Sequence, residues 1–336
     1  MNKKLLLWVF GIILLTFITI ISGFGEIVSI LSSLDIFILL LFIVSLCSLQ
    51  LITLSLTSYQ WYYLFRESAE KIPFSKIFLI NQTGGFVESV TPSSKMGGEV
   101  TKLYLFNHLR GIGYEKLTSL LLAHKYISLV PFLLLCLLTL LLTSFFYTMP
   151  FLVYASFALL AVITFLLFLL IYHEGKSRGL PEHLDIGPSG FDKLYGKFRA
   201  AVCFVQRASN STQNILTPKT RNSLFMVSLL VWALYPLKIY VTANVLGIQI
   251  SFLLAVVVTY AAYLVSMLPI TPGGLGTFEG SMALVLRLNG FFFAEGMAIA
   301  LLARAITFWF PLLVSAGSTM YLIKKEDVEV FGHRIV

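Results

Sequence analysis

Long uncharged stretches set the pattern of this chain. Residues 5–21, 36–56, 131–146 and 151–172 contain no Asp, Glu, Lys or Arg, and about 20 apolar residues suffice for a helix to cross the hydrocarbon core of a bilayer. Uninterrupted apolar length predicts about six spans, near residues 5–22, 35–57, 117–146, 150–172, 222–244 and 297–322. Two further regions are apolar but broken. Residues 77–106 contain Gly84-Gly85, Pro92 and Gly97-Gly98, and residues 252–288 contain Pro269, Pro272, Gly273-Gly274 and Gly276. Proline lacks an amide donor and biases its predecessor, here Thr91 or Thr271, toward extended backbone. Each region is therefore expected to form two half-helices joined by a non-helical turn.

Composition strengthens the membrane assignment. Hydrophobic residues make up 58% of the 336-residue chain and charged residues 12%, which leaves too few polar side chains to cover a soluble globule. The fold class expected is an all-α polytopic membrane protein. The first apolar segment follows Met1-Asn2-Lys3-Lys4, exceeds the apolar region of a signal peptide and ends at a poor cleavage site, Ser22-Gly23-Phe24-Gly25, so it is expected to be a retained span. The cysteines, Cys47, Cys136 and Cys203, lack metal-type spacing.

The net charge of +8 does not imply nucleic acid, because the basic residues sit mainly at the ends of apolar runs. Residues 173–221 carry Lys176, Arg178, Lys193, Lys197, Arg199, Arg207, Lys219 and Arg221, whereas the turns expected near 23–34, 147–149 and 245–251 carry no Lys or Arg. Basic loops stay cytoplasmic, which places Lys3, Lys4, Lys324, Lys325 and both termini in the cytoplasm of a multi-pass plasma-membrane protein. The first broken region then dips into the membrane from inside and the second from outside. Re-entrant elements of opposite sense mark an inverted-topology repeat, a common transporter plan. The single membrane domain, 1–336, divides into a first repeat at 35–172, broken near 77–109, a connector at 173–221, and a second repeat at 222–322, broken near 252–288. Within the connector, Phe191, Leu194, Phe198, Val202 and Val205 recur at helical spacing, as expected of an amphipathic helix on an anionic leaflet or of a solvated basic linker.

The two breaks share landmarks. Thr91-Pro92 and Thr271-Pro272 are each followed, after six intervening residues, by Glu99 and Glu279. Gly111 and Lys125 follow the first at intervals of 12 and 14 residues, and Gly290 and Arg304 follow the second at 11 and 14. Glu99 and Glu279 are expected in the first turns of the second half-helices, with Lys125 and Arg304 as their partners. Such pairs either clamp the fold or face a substrate, possibilities the sequence leaves open. Glycines at this depth free backbone groups for a polar cavity or let helices pack closely. Glu88 and Lys95 flank the first turn and His124 is a proton carrier or a locally satisfied side chain. Lys238 is placed to snorkel to the surface, and Asn81, Gln82 and Thr83 to bond across helices. No G-x-S-x-G or H-E-x-x-H occurs and the histidines are scattered; no cofactor or metal is expected.

At TPSSKMGGE (91–99) and TPGGLGTFEG (271–280) the chain resembles the flippase-like membrane domain of lysyl-phosphatidylglycerol synthases. The likeness covers nearly the whole chain: an early pair of spans, P-x-x-x-x-G-G-E, a basic middle, and P-G-G-x-G-x-x-E. It implies a lipid translocase whose partner is a membrane lipid, an anionic or aminoacylated phospholipid or a prenyl-phosphate lipid, with a separate lipid-synthesis enzyme as a further partner. The amides around Gly97, Gly98, Gly273, Gly274 and Gly276, set by Pro92 and Pro272, would hold its phosphate with Lys125 and Arg304, while Glu99 and Glu279 balance those cations or bind an amine. The largest extramembrane segment, 173–221, is too short for the soluble aminoacyl-transfer domain, so lipid synthesis is not implied. Lys125 stands where the second repeat has Arg304, and an ammonium cannot fork onto a phosphate as a guanidinium does. A non-transporting scaffold of envelope-lipid synthesis and an intramembrane lipid-modifying enzyme are the alternatives.

Overall fold

The computed structural model describes residues 16, 19–20, 24–32, 35–91, 96–143, 146–172, 211–268 and 271–326. The expected span at 5–22 lies almost wholly outside these residues, and the amphipathic stretch at 191–205 entirely so. The described elements are helical: α1 (Phe24–Ser32), α2 (Ile36–Glu67), α3 (Phe74–Val90), α4 (Met96–Arg110), α5 (Tyr114–Thr143), α6 (Phe151–Tyr172), α7 (Pro218–Val245), α8 (Phe252–Ser266), a short 3₁₀ turn (Pro272–Gly274), α9 (Thr277–Leu288), α10 (Phe293–Arg304), a π-turn (Ala305–Trp309) and α11 (Phe310–Glu326). Four helices among the described residues are long and apolar enough to cross a membrane: Ile36–Glu67, Tyr114–Leu141, Pro218–Val245 and the continuous Phe293–Glu326. Phe151–Leu166 and Phe252–Ser266 are shorter apolar helices.

Local chemistry fixes the helix starts. Asp35 caps α2, accepting from the amides of Phe37 at 2.8 Å and Ile38 at 3.2 Å, and Thr217 caps α7 with Pro218 in the first turn, where its missing amide costs nothing. Ser251 caps α8 through the Leu254 amide at 3.1 Å.

Two expectations change here. Residues 24–32 form helix α1, not a turn; Ile27 is buried in the same core as Met297 and Ala298 of α10, so packing supports a helix too short to announce itself by length. Helix α2 runs ten residues past the expected end at 57, to Glu67. Its last turns carry Ser58, Gln60, Trp61, Leu64 and Phe65, all buried: they face protein rather than lipid, so the apolar pattern stops before the helix does.

Both broken regions fold as helix, break, helix. In the first, α3 and α4 approach so closely that a Cβ built on Gly98 would lie 2.5 Å from the Gly84 carbonyl oxygen. Asn81 Nδ2 donates to Ser58 Oγ on α2 at 3.1 Å, and Ser315 Oγ on α11 donates to Gln82 Oε1 at 3.3 Å, the cross-helix bonding expected of these amides. An ion pair between Lys76 and Glu326 also ties α3 to the end of α11. In the second, α9 packs on α10 where a Cβ at Gly296 would lie 2.6 Å from Ala283 Cα. Buried apolar side chains gather in two large clusters, one around Trp61, Phe65, Ile77 and Phe106, the other around Phe132, Trp232, Phe278 and Met297. Helices α5 and α7 run through both, and the space between them holds the candidate site.

Candidate functional site

Glu99 stands in the first turn of α4, where the exposed amides of the helix end favour a carboxylate. Its Oε1 lies 2.6 Å from Lys125 Nζ on α5 and its Oε2 3.3 Å from Lys102 Nζ, one turn along α4. No hydrogen bond closes on Oε2. The Lys102 stem crosses Gly84, where any Cβ would sit 2.5 Å from Lys102 Cγ, and its ammonium lies 5.7 Å from the Trp61 ring centroid. His124 stacks on the same indole at 4.7 Å and 23°, with both ring nitrogens unpartnered. Glu88 on α3 brings a second negative charge within reach of Lys125.

Glu99, His124 and Lys125 of this cluster line a cavity of about 400 Å³. Glu99, His124, Lys125 and Ser128 supply its polar surface, and Leu103, Leu129, Leu160, Trp232 and Met267 are among its apolar walls. Lys125 is 30% exposed while Glu99 is 10% exposed, so the ammonium is the charged group best presented to the space. The walls come from α4, α5, α6, α7 and the turn after α8, which brings the two broken regions to one void.

Glu279 and Arg304 pair differently. Glu279, in the first turn of α9, accepts from Arg304 Nε at 2.9 Å through Oε1 and from the Gly276 amide at 2.8 Å through Oε2. Arg304 Nη2 donates to the Gly273 carbonyl at 2.5 Å. The guanidinium carbon lies 5.0 Å from the Phe278 ring centroid and 4.3 Å from that of Phe308, so two aromatic rings make cation–π contacts with it. Glu279 is 1% exposed. The turn requires glycine: Gly273, Gly274 and Gly276 have φ of +60°, +68° and +80°, a region closed to most residues with a Cβ, and a Cβ at Gly273 would lie 2.5 Å from Phe308 Cε2.

The expected pairs thus form, but they are unequal: the first opens on a cavity and the second is a closed clamp. Gly97 is half-buried and Gly98 buried in the first turn of α4. Pro92 and Lys95 lie outside the described residues, and Pro272 begins the 3₁₀ turn. Lys238 corrects its expectation. It does not snorkel but is 1% exposed, with Nζ donating to Gln50 Oε1 at 2.5 Å and Thr53 Oγ1 at 2.8 Å. It lies near the end of its own helix, yet α7 meets α2 there roughly 20 Å from either end of α2 at 1.5 Å per residue. Lys102, Trp61, Trp232 and Phe308 are the site neighbours that sequence reasoning missed. Lys102 had a legible signal, an acid three residues before it on one helical face; the aromatics had none. Among the described residues no group of His, Cys, Asp and Glu converges as a metal site.

Residues 8–315 match the family described as the lysylphosphatidylglycerol synthase TM region. A UPF0104 membrane protein of Methanothermobacter thermautotrophicus is 25% identical over 95% of this chain and 96% of its own length. A UPF0104 membrane protein of Pyrococcus horikoshii is 23% identical over 93% of this chain and 95% of its own. With breaks, glutamates and cations set out as the synthase-like motifs imply, and the match running through both halves, the chain belongs to the lysylphosphatidylglycerol synthase TM region family.

Proposed function

We propose that this protein moves a phosphate-bearing membrane lipid between leaflets. The observation that carries the reading is the amphipathic cavity: an ammonium and a carboxylate in a lining otherwise made largely of Leu, Trp and Met side chains. A lipid headgroup needs a polar niche while its chains stay in hydrocarbon, and a void with that division of surface matches it. In this reading Lys125, with Lys102 behind it, attracts the phosphate, and Glu99 with the amides at Gly97 and Gly98 orients the headgroup. His124 offers either a donor or an acceptor. Arg304 and Glu279 hold the second break in shape rather than touch the lipid. The broken regions enter from opposite faces, and rocking of one half against the other alternates access.

Reconstitution in liposomes with headgroup-labelled phospholipids tests the site. Lys125→Met removes the best-presented cation, and charge-assisted hydrogen bonds of this kind correspond to about a ten- to hundredfold loss of rate, with Lys125→Arg retaining more than the methionine variant. Rates untouched by Lys125→Met and by Glu99→Gln would remove the cavity from the function. A scaffold without transport predicts that no labelled phospholipid or prenyl-phosphate lipid moves.

Topology is tested separately. Single cysteines at Ser94 and at Thr277, the part-exposed residue just after the glycine turn, are expected to react with membrane-impermeant maleimide from opposite sides, the first from the cytoplasm. Labelling of both from one face would overturn the inverted arrangement.

A further inference from the structure

Of the buried cations among the described residues, Lys102 and Arg304 each face a carboxylate, and Lys238 does not. Its two hydrogen bonds go to uncharged oxygens, Gln50 Oε1 and Thr53 Oγ1. Its Nζ lies 4.6 Å from the centroid of the Tyr235 ring, and Tyr235 in turn bonds Gln50. Two N–H groups on two acceptors satisfy a neutral amine. An ammonium would carry a third N–H and a full charge with no anion beside it, a costly state within a membrane. Lysine can adopt either form, whereas arginine cannot.

Among the described residues, the surroundings offer no fixed counter-ion. Helix α7 is packed by α2, α5, α8 and α10. From α2 come Gln50, Thr53 and, one turn away beside Val241, Cys47. From α8, Tyr263 packs on Tyr235 at 4.9 Å and Tyr260 points to the Trp232 carbonyl. From α5, His124 and Lys125 face the cavity beyond Trp232 and Cys136 lies in the apolar core. From α10, Arg304 is held by Glu279. Glu88 on α3 is the carboxylate whose charge reaches Tyr235, without pairing with Lys238.

We propose that Lys238 Nζ is a proton-exchange site, loading from water on one side of the membrane and unloading to the other as the halves of the protein rock. This rests on the translocase reading and adds a driving force to it. Tyr235 touches both Lys238 and Trp232, a wall of the lipid cavity, so a change of charge at Nζ and a change in the cavity share one contact path.

The test uses the full-length protein in liposomes containing fluorescent headgroup-labelled phosphatidylglycerol, with dithionite reporting the leaflet and trapped pyranine the internal pH. One proton per lipid shifts the steady-state leaflet ratio about tenfold for each pH unit imposed. Lys238→Met is expected to keep downhill exchange but hold the ratio near unity whatever the gradient. Gln50→Glu, which gives the ammonium a permanent partner, is expected to do the same, so a folding defect in one variant does not decide the matter. A gradient response that survives in both variants overturns the proposal. If no lipid moves in the wild type, the translocase reading fails and proton exchange is judged in detergent. There, Trp and Tyr fluorescence followed between about pH 5 and 9 is expected to show a step in the wild type that is missing from Lys238→Met, over any change that His124 beside Trp61 gives to both, and titration curves that coincide overturn the proton site as well.

Discussion

Arg304→Ala is expected to lower stability by about 3–5 kcal/mol, the usual consequence of leaving one partner of a buried ion pair alone. Glu279, 1% exposed, would keep the Gly276 amide but lose its cation, and the Gly273 carbonyl would lose its donor. Two rings, Phe278 and Phe308, would face a void the size of a guanidinium. Thermal unfolding in detergent reads the effect directly. Arg304→Lys is expected to recover only part of it, since a single ammonium cannot serve Glu279 and Gly273 in the plane the guanidinium spans. Pairing Glu279→Gln with Arg304→Met removes both charges and is expected to unfold later than Arg304→Ala alone. A melting temperature unmoved by Arg304→Ala would show that the clamp contributes nothing.

Gly98→Val is expected to be the most damaging change in the first half. The added Cβ would meet the Gly84 carbonyl oxygen at 2.5 Å and Glu88 Cβ at 2.8 Å. The first contact is backbone, which cannot swing aside, so α3 and α4 must part; overpacking of this kind costs about 1–3 kcal/mol, sometimes more. Separation also displaces Glu99, the next residue, from Lys125. Lipid movement is therefore expected to fall by more than the loss of folded protein accounts for. Gly317→Ala is the control, because nothing lies within 4 Å of its added carbon and alanine is favoured by about 1 kcal/mol within a helix. Equal melting and equal transport in Gly98→Val and wild type would refute the close-approach argument.

Much of this architecture could be read from residue order because the membrane constrains it from one side. Proline and glycine inside an apolar run cannot continue a buried helix cheaply, which is why the breaks marked by Thr91-Pro92 and Thr271-Pro272 were visible. Ionisable residues at that depth require partners, which is why Glu99 with Lys125 and Glu279 with Arg304 could be paired. Hydropathy, however, measures whether a residue suits lipid and says nothing of which protein surface it meets. Ser58, Gln60 and Trp61 therefore looked like the end of a span, although α2 continues through them. Lys238 looked like an anchor for the same reason, since Gln50 and Thr53 lie 188 and 185 residues away in sequence. The inequality of the two pairs was equally hidden. It depends on Phe278 and Phe308 closing over one cation and on a cavity opening beside the other, which are properties of packing.

The π-turn at Ala305–Trp309 has a mechanical meaning for the last helix. An extra residue in one turn rotates everything after it by about 100° about the axis relative to an unbroken α-helix. The half before the insertion directs Arg304 to the glycine turn, and the half after it directs Ser315 to Gln82 on α3. One continuous 34-residue helix therefore serves as a crankshaft whose two throws are set at different angles. Both broken regions are thereby tied to one helix, the second through Arg304 and the first through Ser315.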